Sequence, residues 1–149
     1  MRKHSKWLLR PASVLAIAFM LGGCVANTAG QMTLTRDLYS QATYFVERQP
    51  KDTHDLDAII AERMRARGLK ATSGSADGEK PEHDYVVTYT DKWMWDMRMY
   101  LWDLRIDVRD AKDNSIVGFG QSMQSSLVAM GKTYADVIDA ALGELFGPR

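Results

Sequence analysis

Cysteine, histidine and proline are scarce in this sequence. Its 149 residues include one Cys, three His and four Pro. A single Cys excludes an intramolecular disulfide, so the fold is not a disulfide scaffold. Two of the three His, His54 and His83, lie after Cys24, and two distant His are too few for a zinc site. We therefore expect neither a metal nor a cofactor.

Acidic residues are absent from positions 1–23, although the chain has 19 acidic and 19 basic residues and a formal net charge of zero. Four basic residues lie in that segment, which leaves 15 basic and 19 acidic residues, a net charge of −4, for the remainder. A mildly acidic domain lacks the dense basic surface of a nucleic-acid binder. We expect no nucleic-acid partner.

The segment from Met1 to Gly23 has the layout of a secretory signal. Positive charge is confined to residues 1–10, residues 12–21 form an apolar run, and Gly22 and Gly23 lead directly into Cys24. The apolar run is about half as long as a membrane-spanning helix requires. We predict a signal peptide over residues 1–23 that is cleaved between Gly23 and Cys24. The alternative is an ordinary secreted protein with an incidental cysteine.

The segment Leu21-Gly22-Gly23-Cys24 resembles the lipobox of bacterial lipoproteins. The resemblance implies a diacylglycerol on the Cys24 thiol and an acyl group, for example palmitate, on the new amino terminus. Each buried CH₂ contributes about 0.8 kcal/mol, so two or three chains would form a stable membrane anchor. Val25 follows the cysteine where an Asp tends to retain such proteins at the inner membrane. The resemblance thus favours the outer membrane of the cell envelope, facing the periplasm.

The chain after this signal has 126 residues, which is the size of one domain. Small and polar residues predict a flexible tether over 24–41, and we expect a periplasmic α+β domain over 42–149. Periodicity predicts a mostly antiparallel sheet of four to five strands with two helices on one face. The predicted strands are 42–48, 84–91, 99–109 and 116–125, with a short edge strand possible at 68–71; the predicted helices are 53–67 and 133–146.

This order of elements resembles a group of small, largely uncharacterised proteobacterial envelope lipoproteins. The resemblance covers roughly residues 42–146 and rests on Arg67-Gly68-Leu69, on Asp84-Tyr85-Val86-Val87, and on a hairpin from Ile106-Asp107-Val108-Arg109-Asp110 to Ile116-Val117-Gly118-Phe119-Gly120. The turn of that hairpin usually carries a Gly, where this chain has Asp113-Asn114-Ser115. The family supplies no catalytic residue to carry over.

Catalytic chemistry has few candidates in this chain. We find no Gly-x-Ser-x-Gly elbow, no free Cys once Cys24 is lipidated, and no Gly-rich phosphate loop. Four aspartates could form paired carboxylates: Asp91, Asp96, Asp103 and Asp107. Asp103 and Asp107 alternate with Arg105 and Arg109, however, which favours a solvated strand face with opposite charges over an acid-base site.

The most unusual segment is residues 93–102, which holds three of the four Trp and three Met. Exposed clusters of such residues mark contact surfaces, whereas buried ones fill cores. We expect most of this segment to be core and part of it to be a partner or ligand contact, with Trp93, Trp95 and Trp102 as the candidates. The leading hypothesis is a non-enzymatic binding or envelope-maintenance module. The alternatives are a carrier of lipid or a small apolar ligand, in a groove between sheet and helices, and an enzyme using the aspartates.

The lipobox interpretation predicts the result of replacing Cys24. A Cys24→Ser variant should lose incorporation of radiolabelled palmitate, because serine offers no thiol for the diacylglycerol. Cleavage before residue 24 should fail as well, so the variant should migrate on a gel as the longer, uncleaved precursor. A variant that is still labelled and processed like the unaltered chain would contradict the prediction.

Overall fold

The computed structural model describes residues 27–34, 36–78, 81–125, 128 and 131–148. The predicted signal peptide, its cleavage position and Cys24 lie outside these residues. The described chain forms one six-stranded sheet, three helices and their connections. The strands, in chain order, are β1 Asn27–Met32, β2 Thr43–Arg48, β3 Lys70–Ser75, β4 Tyr85–Asp96, β5 Arg98–Asp110 and β6 Ile116–Met123; the helices are α1 Arg36–Gln41, α2 Leu56–Arg65 and α3 Tyr134–Phe146.

The sheet is mixed, with the strand order β1-β6-β5-β4-β2-β3. Strand β2 pairs in parallel with both β3 and β4, and the remaining pairs are antiparallel. The α+β class is confirmed, whereas the prediction of four to five mostly antiparallel strands is wrong. Parallel pairing of β2 with β3 follows from the helical crossover through α2, because parallel neighbours cannot be joined by a tight turn.

The predicted flexible tether is wrong for most of its length, because β1 and α1 form within residues 27–41. Strand β1 has small, polar residues and no apolar alternation, so its side chains give no strand signal. It forms because the backbone of β6 offers a free edge, from Asn27 opposite Met123 to Met32 opposite Gly118. Ordered structure therefore begins well before residue 42.

Helix α3 begins at Tyr134, one residue after the predicted start at 133, whereas α2 begins at Leu56, three residues after the predicted start at 53. Thr133 caps α3 in a reciprocal box: its hydroxyl accepts the Asp136 N–H (3.3 Å), and the Asp136 carboxylate accepts the Thr133 N–H (2.7 Å). Before α2, the Asp52 carboxylate accepts the backbone N–H groups of His54 (2.8 Å) and Leu56 (2.7 Å). Within the described residues, we find no helix with the length and hydropathy to cross a bilayer.

The core lies between α2, α3 and one face of the sheet. Ile60 and Met64 of α2 and Ile138 and Leu142 of α3 are fully buried there. The sheet contributes alternating residues of its central strands, Val46, Val87, Tyr89, Leu104, Ile106 and Val108. The predicted placement of two helices on one sheet face is consistent with this cluster.

Helix α3 lies unusually close to β6 and β1 because the facing residues are glycines. A Cβ on Gly120 would overlap the Ala141 carbonyl oxygen, and one on Gly30 would lie 2.5 Å from the Glu144 Cβ. A Cβ on Gly118 would be 2.7 Å from the Met32 sulfur. The separations at Gly120 and Gly30 are below any normal contact, so these two glycines are what allows α3 to approach the sheet so closely.

This packing predicts opposite effects for two glycine-to-alanine changes. Gly120→Ala should lower the free energy of unfolding by about 1–3 kcal/mol, because the added methyl group forces α3 away from the sheet. Gly143→Ala should raise it by about 0.5–1 kcal/mol, since Gly143 lies inside α3 with no atom nearer than 3.9 Å to the new methyl. Denaturation in urea, followed by circular dichroism, measures both. An unchanged free energy of unfolding in the Gly120→Ala variant would contradict the close packing of α3 on β6.

Candidate functional site

Strands β4 and β5 form a long hairpin that extends beyond the rest of the sheet. They pair from Tyr85 opposite Asp110 to Asp96 opposite Arg98, with Met97 at the turn in a left-handed conformation (φ 62°). Between Lys92 and Trp93 the register shifts, since Lys92 faces Asp103 and Trp93 faces Leu101. The extra residue on β5 is Trp102, so the strand has a β-bulge there.

The bulge changes which side chains enter the core. Strict alternation predicts Tyr100 and Trp102 on the same face as Leu104, Ile106 and Val108. The structure instead places Leu101 in the core cluster and leaves Trp102 out of it. One inserted residue reverses the alternation, because neighbouring residues of a strand point to opposite faces. The predicted alternation is therefore correct from Leu104 onward and wrong before it.

Four large apolar side chains are exposed around the turn, and we call this set the hairpin tip: Met94, Trp95, Met97 and Met99. Their exposed fractions are 46%, 70%, 88% and 48%, respectively. Of the large hydrophobic residues described as exposed, only Ile116 lies elsewhere. Four such side chains gathered around one turn, where the rest of the described surface exposes only Ile116, indicate a contact site.

The three predicted contact tryptophans lie in three different environments. Trp95 belongs to the hairpin tip, whereas Trp93 is partly buried against the core. The His54 ring stacks on Trp93 with 3.9 Å between ring centroids, and the Tyr134 ring meets it edge-on at 5.1 Å. Trp102 is half-buried, with the Lys92 ammonium 5.9 Å from its ring centroid. Only Trp95 is thus available as the predicted contact.

A hydrogen-bonded loop holds His54 against Trp93. The Tyr89 hydroxyl donates to the Asp52 carboxylate (2.6 Å), which also accepts the His54 N–H. Burial raises the pKa of Tyr89, and the bond to Asp52 raises it further. Burial alone would raise the pKa of Asp52, but its hydrogen bonds from Tyr89 and from the backbone outweigh burial and hold that pKa below its usual value.

The four candidate aspartates do not converge. Asp103 accepts from Lys92 (3.1 Å) and from the Gln121 amide (2.9 Å), and Asp107 pairs with Arg105 (2.8 Å). Asp91 accepts the Trp93 indole N–H, and Asp96 is exposed beside the turn. The expected pairing of opposite charges is confirmed for Asp103 and Asp107.

The expectation that this strand face is solvated is wrong for two of its residues. Asp103 and Asp107 are only 3% and 9% exposed. Neighbouring side chains cover the face: the Arg105 guanidinium lies 4.3 Å from the Phe119 ring centroid, and Gln121 reaches across to Asp103. Both carboxylates nevertheless keep charged partners, as buried charges require.

The two histidines have packing partners, since His54 stacks on Trp93 and the His83 ring stacks on Phe45 at 5.4 Å between centroids. In the part of the chain that the structure describes, no group of three His, Cys, Asp or Glu residues is arranged to hold a metal ion.

The two main clefts on the described surface do not coincide with the groove between sheet and helices that the carrier hypothesis predicts. A cleft of about 370 Å³ lies among the ends of α1, α2 and α3, lined by Tyr39, Arg67 and Phe146 among others. A second cleft, of about 300 Å³, lies beside the hairpin tip between Arg98, Met99 and the residues 132–134. Neither is lined by Trp93, Trp95 or Trp102.

Comparison with known proteins finds a structural likeness without a sequence family. No protein-family model and no curated protein matches the chain. The PelC dodecamer from Paraburkholderia phytofirmans matches with a TM-score of 0.58 and 14% identity over 84% of this chain and 100% of that chain. A point variant of the same PelC matches with a TM-score of 0.56, 14% identity and coverage of 84% and 99%. At this identity the likeness shows a shared fold alone.

A minor lipoprotein from Acinetobacter baumannii also matches, with 16% identity over 69% of this chain and 93% of that chain. Its TM-score is 0.29, which is too low to support an argument about fold or function. The resemblance to envelope lipoproteins therefore continues to rest on the sequence.

The different environments of two tryptophans predict different costs of replacement. Trp93→Ala should lower the free energy of unfolding by roughly 3 kcal/mol, because it removes the ring that His54 and Tyr134 contact. Trp95→Ala should change it by less than about 0.5 kcal/mol, since most of that side chain is in solvent. Urea denaturation of both variants measures the difference. Equal destabilisation would contradict the assignment of Trp95 to an exposed surface.

Proposed function

We propose that this protein is a lipid-anchored lipoprotein of the cell envelope whose periplasmic domain is a non-enzymatic binding module, with the hairpin tip as its contact surface. The observation that carries the proposal is the exposure of Met94, Trp95, Met97 and Met99 together at the end of one hairpin. Apolar side chains of that size lose stabilisation by remaining in water, so their joint exposure indicates an occupant.

The anchor in this proposal comes from the sequence. The charged leader, the apolar run and the Leu21-Gly22-Gly23-Cys24 segment supply a signal peptide with a lipobox, and Val25 favours the outer membrane. The lone Cys of the chain is then used for lipid attachment. Lipid attachment thus explains why an exported protein has an unpaired cysteine.

A non-enzymatic role is supported by the way the candidate acids are used. Asp103 and Asp107 are engaged with Lys92 and Arg105 inside a strand face, and Asp91 holds the Trp93 indole. Such pairs fix the positions of side chains within the protein, so the presence of these aspartates is explained without a substrate. The carrier hypothesis stays a prediction, and the cleft beside Met99 is where an apolar ligand would be sought.

The experiment that tests the proposal places a photo-crosslinking amino acid, p-benzoylphenylalanine, at position 95 of the full chain in living cells. A matched control carries it at position 112, because Lys112 is exposed in the turn between β5 and β6, at the opposite end of the sheet. We expect irradiation to give discrete adducts from position 95 and none from position 112. Absence of adducts at both positions, in cells that accumulate the protein, would refute the proposed contact surface.

The mass of the adduct identifies the class of occupant. PelC, whose fold this chain shares, forms a dodecamer, so a second copy of the chain is one candidate partner. Crosslinking to another copy would give a species of twice the mass, and crosslinking to another envelope protein would give a different mass. Crosslinking to lipid would leave the protein near its own mass and add a lipid fragment detectable by mass spectrometry.

A further inference from the structure

The sheet places the start of β1, which follows the proposed lipid anchor, and the hairpin tip at the same end of the domain. Asn27, the first residue of β1, is opposite Met123 of β6, and Met123 is opposite Asp103 of β5. Asp103 is in turn opposite Lys92 of β4. These four residues form one row across the sheet. The start of β1 therefore lies level with the base of the projecting part of the hairpin.

Beyond this row, β4 and β5 continue for four more residue pairs, from Trp93 opposite Leu101 to Asp96 opposite Arg98. At roughly 3.3 Å per residue, the hairpin projects about 13 Å past the start of β1. Its exposed side chains lie at the far end of that projection, around the turn at Met97.

The chain between the lipid attachment residue and the sheet is very short. Only Val25 and Ala26 separate Cys24 from Asn27. Three residue steps span at most about 10 Å, whatever their conformation. A lipidated Cys24 consequently brings the membrane surface within about 10 Å of Asn27, at the β1 end of the row, while the hairpin of β4 and β5 reaches about 13 Å beyond the row. The two lengths match.

We propose that the hairpin tip inserts into the interface of the bilayer that carries the acyl chains of Cys24. The occupant of this surface is lipid, and the domain has two membrane contacts: the anchor and the tip. This inference deepens the proposed function and rests on its lipid anchor. It assigns the exposed apolar side chains to the surface that the short connection holds near the same end of the domain.

The chemistry of the tip fits a membrane interface. Trp95 is the residue type enriched where headgroups meet acyl chains, and unbranched Met side chains adapt to an irregular surface. Asp96 lies opposite Arg98, so the charges nearest the turn balance each other. Insertion is then driven by the apolar side chains. Lys132 and Arg98, which line the adjacent cleft, lie where lipid phosphates would meet them.

The test uses the single cysteine of the chain. With Cys24 acylated, a Met97→Cys variant of the full lipoprotein has one free thiol for a fluorophore that is sensitive to polarity. A Lys112→Cys variant is the matched control at the opposite end of the sheet. Both are reconstituted into phosphatidylcholine vesicles, with and without lipid that carries a doxyl quencher near the headgroup end of its chain. Circular dichroism confirms the fold of each variant.

We expect the position 97 probe to show a blue shift and strong quenching by the doxyl lipid, and the position 112 probe to show neither. Two probes that behave alike, as in water, would overturn the inference. So would a blue-shifted position 97 probe that the doxyl lipid does not quench, because a second protein would then cover the tip. The intact mass, measured beforehand, shows whether Cys24 carries lipid, so failure of the anchor is distinguished from failure of the tip.

Discussion

The pairing of β4 with β5 is the constraint on which the other features of this structure depend. These strands are opposite each other along almost their whole length and occupy the middle of the sheet, so β6 and β2 take their positions from them. The bulge at Trp102 divides the hairpin into two parts. On one side of it, Leu104, Ile106 and Val108 are buried under the helices. On the other, Leu101 still belongs to the core, and the hairpin then extends past β6, so that the four side chains of the hairpin tip are exposed.

The packing of α3 against β6 and β1 is a second constraint on the structure. This helix lies against Gly120 of β6 and Gly30 of β1, with no room for a Cβ at either position. The glycines cost conformational entropy on folding, and the close contact of helix backbone with strand backbone offsets that cost. Because β1 contributes to this contact, the chain is part of the folded domain from Asn27 onward. In the proposed arrangement, that continuity ties the orientation of the domain to the membrane.

The polar sheet face illustrates a general difficulty in assigning aspartates. Alternating Asp and Arg residues along β5 have the pattern of a wet surface, yet Asp103 and Asp107 are buried. Their partners come from other strands as well as their own: Lys92 from β4 and Gln121 from β6. A pattern within one strand shows that charges can balance. It does not show which neighbouring side chains cover them.

The candidate contact surface was predictable in part. Composition identified residues 93–102 as unusual, and Trp95 was among the candidates. The partial burial of Trp93 and of Trp102 was not predictable. Trp102 takes its position from the bulge, and Trp93 stacks on His54, which is distant from it in the chain. The exposure of Met94, Met97 and Met99 had one signal in the sequence, the Asp96-Met97-Arg98 segment, in which opposite charges flank a single turn residue.

By itself the sequence determined the α+β class, the two long helices and the N-cap of α3 at Thr133. Each depends on residues within a few positions of one another, where periodicity and capping act directly. Only the tertiary structure decided that β1 joins β6, that β2 pairs in parallel with β3 and β4, and that the start of β1 lies beside the base of the projecting hairpin. Those outcomes depend on backbone hydrogen bonds between distant segments, and backbone groups are the same whatever the side chains, so they leave no pattern in the sequence.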